Sequence, residues 1–313
     1  MQMTESCRNR YHDLTLHYVE RCPESRMEIE EFINCYQKGL NQLDGMTVAD
    51  SRLGYERLCE SFQVRSSAIA CDVTEITGVP VTRLWARDGV GRGDGVVVYA
   101  HGGGWSLGSS RSHRGVAEAL VLALGREVVS VDYRLLPEAN YREALADVLG
   151  VWRTCDPVAA VGDSAGGRLV MDSAATLTRE GVGVPPLGLI YPVVGTPHMT
   201  TLGPDAPLLT RDDVMALWRS VAADIPCHDV SLPPSRYVHV LAAEHDPLTA
   251  MAADAVERWS GTSVHVSLDI AEGMVHSALH GLPRLRPMQA AWRTFCSRLN
   301  ASIEAAGSHD GSE

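Results

Sequence analysis

Apolar positions change their period near residue 63, and that change divides the chain. From about Tyr11 to Phe62 the pattern is helical. Leu14, Leu16, Tyr18 and Val19 lead in, and Met27, Ile29, Phe32, Ile33, Tyr36 and Leu40 recur at the spacing of one helix face. From Ser66 the period shortens: 66–76 and 79–87 alternate like half-buried strands about a turn at Gly78. Val96–Ala100 is a continuous apolar run, as expected of a strand covered on both faces. Beyond it the two periods alternate. Helices are predicted at 114–124, 141–155, 165–178, 248–259 and 287–305, and strands at 128–133, 158–161, 187–193, 237–242 and 263–270. Such alternation builds a mostly parallel sheet with helices on both faces. One stretch, about 195–226 with a helical pattern at 211–223, interrupts it. Sheets of this class bind ligands beyond their carboxyl ends, so this stretch is expected to be a second cap there. Residues 1–62 form the expected N-terminal helical cap and 63–304 the main domain. The small polar residues 305–313 are expected to be a disordered tail.

Composition narrows the function. Of 313 residues 45% are hydrophobic, enough for a large core, and the formal net charge is −12. An acidic chain is a poor partner for nucleic acid or an anionic membrane. No apolar run approaches the ~20 residues of a membrane span, and residues 1–13 are too polar for a signal core. The eight cysteines show neither C-x-x-C spacing nor a zinc pattern. They are expected to be reduced, mostly buried thiols of a cytoplasmic protein.

The chemistry sits in two glycine-rich strings. G-x-S-x-G occurs at Gly104–Gly108, around Ser106, and at Gly162–Gly166, around Ser164. With 28 glycines, about 0.2 such matches arise by chance, so context decides. A nucleophilic serine on a strained turn needs a buried strand before it and a helix after it. Val158–Val161 and the run from Ala165 supply both for Ser164, and small neighbours leave room for the turn. Ser106 is followed by further serines and reads as a loop residue.

A serine hydroxyl needs a base, and the base needs an orienting acid. His276, just past the last predicted strand, is the expected base, with His280 the nearest rival. Asp246, at the end of the preceding strand, is the expected acid. Its rivals are Glu244 and, within a strand, Asp269; Asp246 can also cap the helix that starts at Pro247. Gly102–Gly104 follow the 96–100 strand and can turn N–H groups inward, because no Cβ blocks them. Amides of this run are the expected oxyanion donors, with the N–H of Ala165 as the third. No G-K-[ST] follows, so a phosphate loop is disfavoured. His101 is expected to brace this loop.

Five ordered strings then carry a resemblance: His101-Gly102-Gly103-Gly104-Trp105, Asp132-Tyr133-Arg134-Leu135-Leu136-Pro137-Glu138, Gly162-Asp163-Ser164-Ala165-Gly166-Gly167, Glu244-His245-Asp246-Pro247-Leu248 and Gly273-Met274-Val275-His276. The chain resembles the hormone-sensitive-lipase-like (bacterial family IV) esterases of the α/β-hydrolase superfamily, over about residues 79–302. The resemblance implies the α/β-hydrolase fold with an N-terminal helical cap. It implies a triad of Ser164, Asp246 and His276, with oxyanion donors Gly103, Gly104 and Ala165. It also implies short-acyl ester substrates, no cofactor and no metal, with Tyr133, Arg134 and Glu138 as structural braces. Three departures bear on the pocket. Arg168 stands where the family usually has Asn, Ser277-Ala278-Leu279 replaces the usual Gly-Phe after His276, and the connection from 218 to 237 is short.

The expected function is therefore serine carboxylic-ester hydrolysis by a cytoplasmic monomer or homodimer acting on a small-molecule ester, with a secondary-metabolite ester as one candidate. The alternatives are an acyltransferase, lyase or cyclase on the same scaffold, or a catalytically silent ligand receptor.

Overall fold

The computed structural model describes residues 26–226 and 231–309. Two helices open it, α1 (Ile29–Asn41) and α2 (Val48–Phe62). Thr47 starts α2 by accepting from the Asp50 N–H at 3.2 Å, which satisfies one orphan donor of the first turn. The helical lead-in expected from 11 to 25 lies outside the described residues, as do Cys7, Cys22 and Cys227.

The sheet strands are β1 (Ile69–Ile76), β2 (Val79–Ala86), β3 (Val96–Ala100), β4 (Glu127–Val131), β5 (Ala159–Asp163), β6 (Leu187–Ile190), β7 (Tyr237–His245) and β8 (His265–Val275). Among the described residues they form one sheet in the order β1-β2-β4-β3-β5-β6-β7-β8. β2 is antiparallel to both its neighbours, and all pairs from β4 to β8 are parallel. The chain moves outward from β3 to β4, then returns to lay β5 on the other side of β3. The strand order therefore switches direction at β3 and β5, where a crevice opens beyond the strand ends.

Helices α3 (Arg114–Leu124), α4 (Tyr141–Cys155), α5 (Ala165–Arg179), α6 (Arg211–Val221), α7 (Leu248–Ser260) and α8 (Arg286–His309) complete the fold. One core, with Val148, Leu169 and Trp259, joins one face of the sheet to α4, α5 and α7. The other, with Leu120, Phe295 and Leu299, joins the opposite face to α3 and α8. It also takes in Phe32, Tyr36 and Phe62 of α1 and α2.

The structure departs from the sequence-based expectations in several places: β1 starts only at Ile69, and β4 and β6 stop at Val131 and Ile190, short of the expected 133 and 193. Strands β5, β7 and β8 run two to five residues past their expected ends. The extensions of β5 and β7 end in Gly162 and Asp163 and in Glu244 and His245, and that of β8 passes through Glu272 and Gly273 before the buried Met274 and Val275. These polar and glycine positions break the apolar period, yet the strand conformation continues. The 305–313 tail is corrected: α8 is helical through Ala305 to His309, and 310–313 lie outside the described residues. The cysteines are less buried than expected. Cys59 and Cys296 are buried, whereas Cys35 and Cys71 are exposed, and these four and Cys155 are free thiols.

Candidate active site

Ser164 occupies the one-residue turn between β5 and α5 with φ 51° and ψ −117°, a conformation costly for any residue with a Cβ. Packing holds it there. A Cβ on Gly162 would press on the Gly166 carbonyl, and one on Gly166 would press on the carbonyls of Ala100 and His101. The small residues let β5, α5 and the end of β3 approach closely enough to close the turn. The Ser164 N–H donates to the Ile190 carbonyl at 2.8 Å.

The structure brings the three expected side chains together. Ser164 Oγ lies 3.0 Å from His276 Nε2, and His276 Nδ1 lies 2.6 Å from Asp246 Oδ2. A carboxylate can only accept, so Nδ1 carries the proton and Nε2 presents its lone pair to the serine. Asp246 Oδ1 accepts the Leu248 N–H at 2.8 Å, so the capping role coexists with the contact to the imidazole. Tyr191 lies 4.5 Å from the His276 ring, centroid to centroid.

The rivals go elsewhere. His280 is buried beneath the first cap, its Nε2 3.4 Å from the Tyr55 hydroxyl and 3.7 Å from Cys59 Sγ. Burial, aided by nearby His113, pushes its pKa down to about 3, so it is neutral. Glu244 accepts the Gly273 N–H at 2.7 Å and shapes the bend before His276. Asp269 sits 3.6 Å from Arg298, within β8. Ser106 lies in the turn after the glycines, where its carbonyl accepts from Arg52 Nε at 3.0 Å.

Gly103 and Gly104 take φ values of 114° and 58°. Among the described residues the N–H groups of Gly103, Gly104 and Ala165 carry no hydrogen bond and border the same cleft as Ser164. The loop is fixed by buried polar contacts. His101 Nδ1 donates to the Gly102 carbonyl at 2.8 Å, and its ring stacks on Tyr133 at 4.4 Å. The Tyr133 hydroxyl donates to the His101 carbonyl at 2.7 Å. Burial, then neighbouring His113, lowers the His101 pKa to about 4, so it braces rather than titrates near neutrality. Arg134 pairs with Asp147 and Glu143, and Glu138 with Arg52, as expected of braces.

Asp163 is the residue the sequence reading passed over. Its Oδ1 accepts from the Tyr99 hydroxyl at 2.6 Å and from the Gly102 N–H at 3.0 Å, and Oδ2 lies 3.5 Å from His113 Nε2. Burial alone would raise its pKa, but His113 and these hydrogen bonds hold it at about 2. One carboxylate thus ties the residue before Ser164 to the glycine loop. The signal was present, an Asp inside the Gly162–Gly167 string, but its partners lie on other strands.

Gly103→Ala is expected to lower kcat about 10²–10³-fold, the effect of losing one oxyanion donor. The added Cβ would overlap the Leu107 carbonyl at a positive φ, so the loop must shift. Steady-state kinetics at unchanged circular dichroism checks it.

The cleft over Ser164, a cavity of about 190 Å³, is lined by Tyr36, Leu40 and Tyr55 of α1 and α2 and by Leu209, Leu217 and Trp218 of the 195–226 segment. Among the described residues its lining includes no Lys or Arg, and Asp163 is the one carboxylate there. Of the three departures, Ser277 borders the cleft in a left-handed conformation (φ 66°). Arg168 lies behind the wall, and the 218–237 connection falls partly outside the described residues.

Residues 97–280 match the model of a family described as alpha/beta hydrolase fold. Carboxylesterase NlhH of Mycobacterium tuberculosis is 35% identical over 273 residues, 74% of this chain and 82% of the relative. An acetyl-hydrolase of Streptomyces hygroscopicus is 31% identical over 200 residues, 59% of this chain and 65% of that one. A solved esterase from the bacterial hormone-sensitive lipase family overlays with a TM-score of 0.74 at 23% identity. It covers 87% of this chain and 98% of its own.

Proposed function

Because the chain belongs to the α/β-hydrolase family, among its hormone-sensitive-lipase-like esterases, and is an enzyme of carboxylic-ester hydrolysis, we propose that Ser164, His276 and Asp246 perform that reaction on short-acyl esters of small neutral alcohols. The observation that carries the residue roles is the unbroken line from Ser164 Oγ to His276 Nε2 (3.0 Å) and from Nδ1 to Asp246 Oδ2 (2.6 Å).

Ser164 Oγ attacks the ester carbonyl carbon as its proton passes to His276 Nε2. Asp246 holds the ring in the tautomer that can accept and stabilises the imidazolium that forms. The carbonyl oxygen becomes an oxyanion facing the N–H groups of Gly103, Gly104 and Ala165, which are worth most while charge develops. His276 returns the proton to the departing alkoxide, and the alcohol leaves an acyl-serine. Water, deprotonated by the same imidazole, attacks that ester. Collapse returns the proton to Ser164 and releases the acid. No step needs a cofactor or metal.

The substrate class rests on the cleft. Its lining of Leu, Val, Trp and Tyr with neutral hydroxyls favours an uncharged ester, since a charged one would lose hydration without a partner. The likeness to an acetyl-hydrolase supports a small acyl group. Among the described residues no helix is long and apolar enough to cross a membrane. The free surface thiols Cys35 and Cys71 suit the reducing cytoplasm. On nitrophenyl esters of increasing acyl length, kcat/KM is expected to peak at acetate to butyrate and to fall at least tenfold by decanoate. A maximum at palmitate would overturn the short-acyl assignment.

A further inference from the structure

Arg168 lies one turn along α5 from Ser164 and is 4% exposed, its charge paired with Asp172. Nε donates to both carboxylate oxygens of Asp172 at 3.0 Å, and Nη1 donates to the Gly195 carbonyl at 2.6 Å. Its guanidinium carbon sits 5.4 Å from the centroid of the Trp218 ring. Asp172 also accepts the Tyr141 hydroxyl at 2.7 Å. One side chain therefore joins three elements: the helix behind the nucleophile, the start of the 195–226 segment, and the helix α6 that roofs the cleft.

The consequence reaches the carbonyl site through the neighbour of Trp218. Leu217 packs on the candidate oxyanion loop so closely that a Cβ on Gly104 would come within 2.8 Å of its Cδ2. At its N-terminus α6 is closed by a reciprocal cap, in which Thr210 accepts the Asp213 N–H and the Asp213 carboxylate accepts the Thr210 N–H. α6 is thus a stiff bar, fixed over Gly104 by Leu217 and over α5 by Trp218. A planar guanidinium can hold Asp172 through Nε, reach the Gly195 carbonyl through Nη1 and still offer a face to an indole; a compact lysine ammonium cannot do all three.

We propose that Arg168 is a positioning residue for specificity: through Trp218 and Gly195 it sets the height of α6 over Ser164, and so the size of the ester group that fits in the cleft beneath Leu217 and Trp218. This rests on Ser164 being the nucleophile beneath that roof. Arg168 touches no substrate; it limits bulk from behind the wall.

The test reads a ratio of rates, because lost stability alone would lower all esters together. In the full-length enzyme, kcat/KM is measured for nitrophenyl esters of acids from two to ten carbons and for acetates of alcohols from one to ten carbons. Arg168→Lys is expected to raise the long-to-short ratio at least tenfold in one of the two series, mainly through KM of the longer ester. Trp218→Leu, which removes the indole face without leaving a buried charge unpaired, is expected to shift the same series in the same direction. The double variant is expected to give no more than the larger single effect, because both act through one contact. Ratios within threefold of wild type in both series for both variants would overturn the proposal, as would effects that multiply. Turnover of esters by wild type with unmoved ratios defeats this inference alone. Absence of wild-type turnover on every ester defeats the reading of the site as well.

Discussion

Ser164→Ala is expected to lower kcat by about 10⁶-fold, with covalent labelling by a fluorophosphonate lost and the melting temperature within about 2 °C of wild type. The size follows from cooperation among the three side chains. Without Oγ the imidazole has no proton to accept, and Asp246 orients a base that serves nothing. The residual rate, about 10³–10⁴ over water, is what binding and the oxyanion amides alone provide. Stability changes little because Oγ makes its hydrogen bond to His276 at a cleft wall, where water can replace it. The strained backbone at residue 164 is held by Gly162, Gly166 and the bond to Ile190, all of which remain. Retained labelling in Ser164→Ala would instead direct attention to Ser106, in the second G-x-S-x-G string.

Asp246→Asn is expected to lower kcat by about 10⁴-fold at neutral pH while the fold is retained. An asparagine can keep its Oδ1 as acceptor for the Leu248 N–H, which holds the start of α7. Its NH₂ then faces His276 Nδ1 and forces that nitrogen to accept. The proton moves to Nε2, and the imidazole turns a donor toward Ser164, so no general base remains. Glu244→Gln is the control. Glu244 accepts from the Gly273 N–H and makes no contact with the imidazole, so the expected loss is under about tenfold. Single-turnover kinetics on a nitrophenyl acetate checks both. If Glu244→Gln proves the more damaging, the acid role belongs to Glu244.

Where sequence reasoning succeeded, the information was local. Val158–Val161 and the helical run from Ala165 declare a strand and a helix with one serine between them, and small residues around it permit the turn. The glycines of 102–104 declare a loop whose amides can face inward. His101 was legible as a brace because a histidine flush against three glycines has backbone within reach. Strand ends were less legible. The residues that finish β5 and β7, and Glu272 and Gly273 near the end of β8, are polar or glycine, and that obscures the apolar period.

The order of motifs and the alternation of periods determined the element types, the sheet class, the turn at Ser164, and His276 and Asp246 as the expected base and acid ahead of their rivals. Periodicity records which face of an element is buried, and that is decided within a few residues. Tertiary structure alone shows these side chains in contact, Ser164 with His276 and His276 with Asp246, since those contacts span 112 and 30 residues of chain. It also decided that Asp163 ties Gly102 to β5, and that Arg168 reaches Trp218 across the cleft wall. Such partners meet only after the strand order turns back at β3 and β5, and no local pattern encodes a distance closed by the whole sheet.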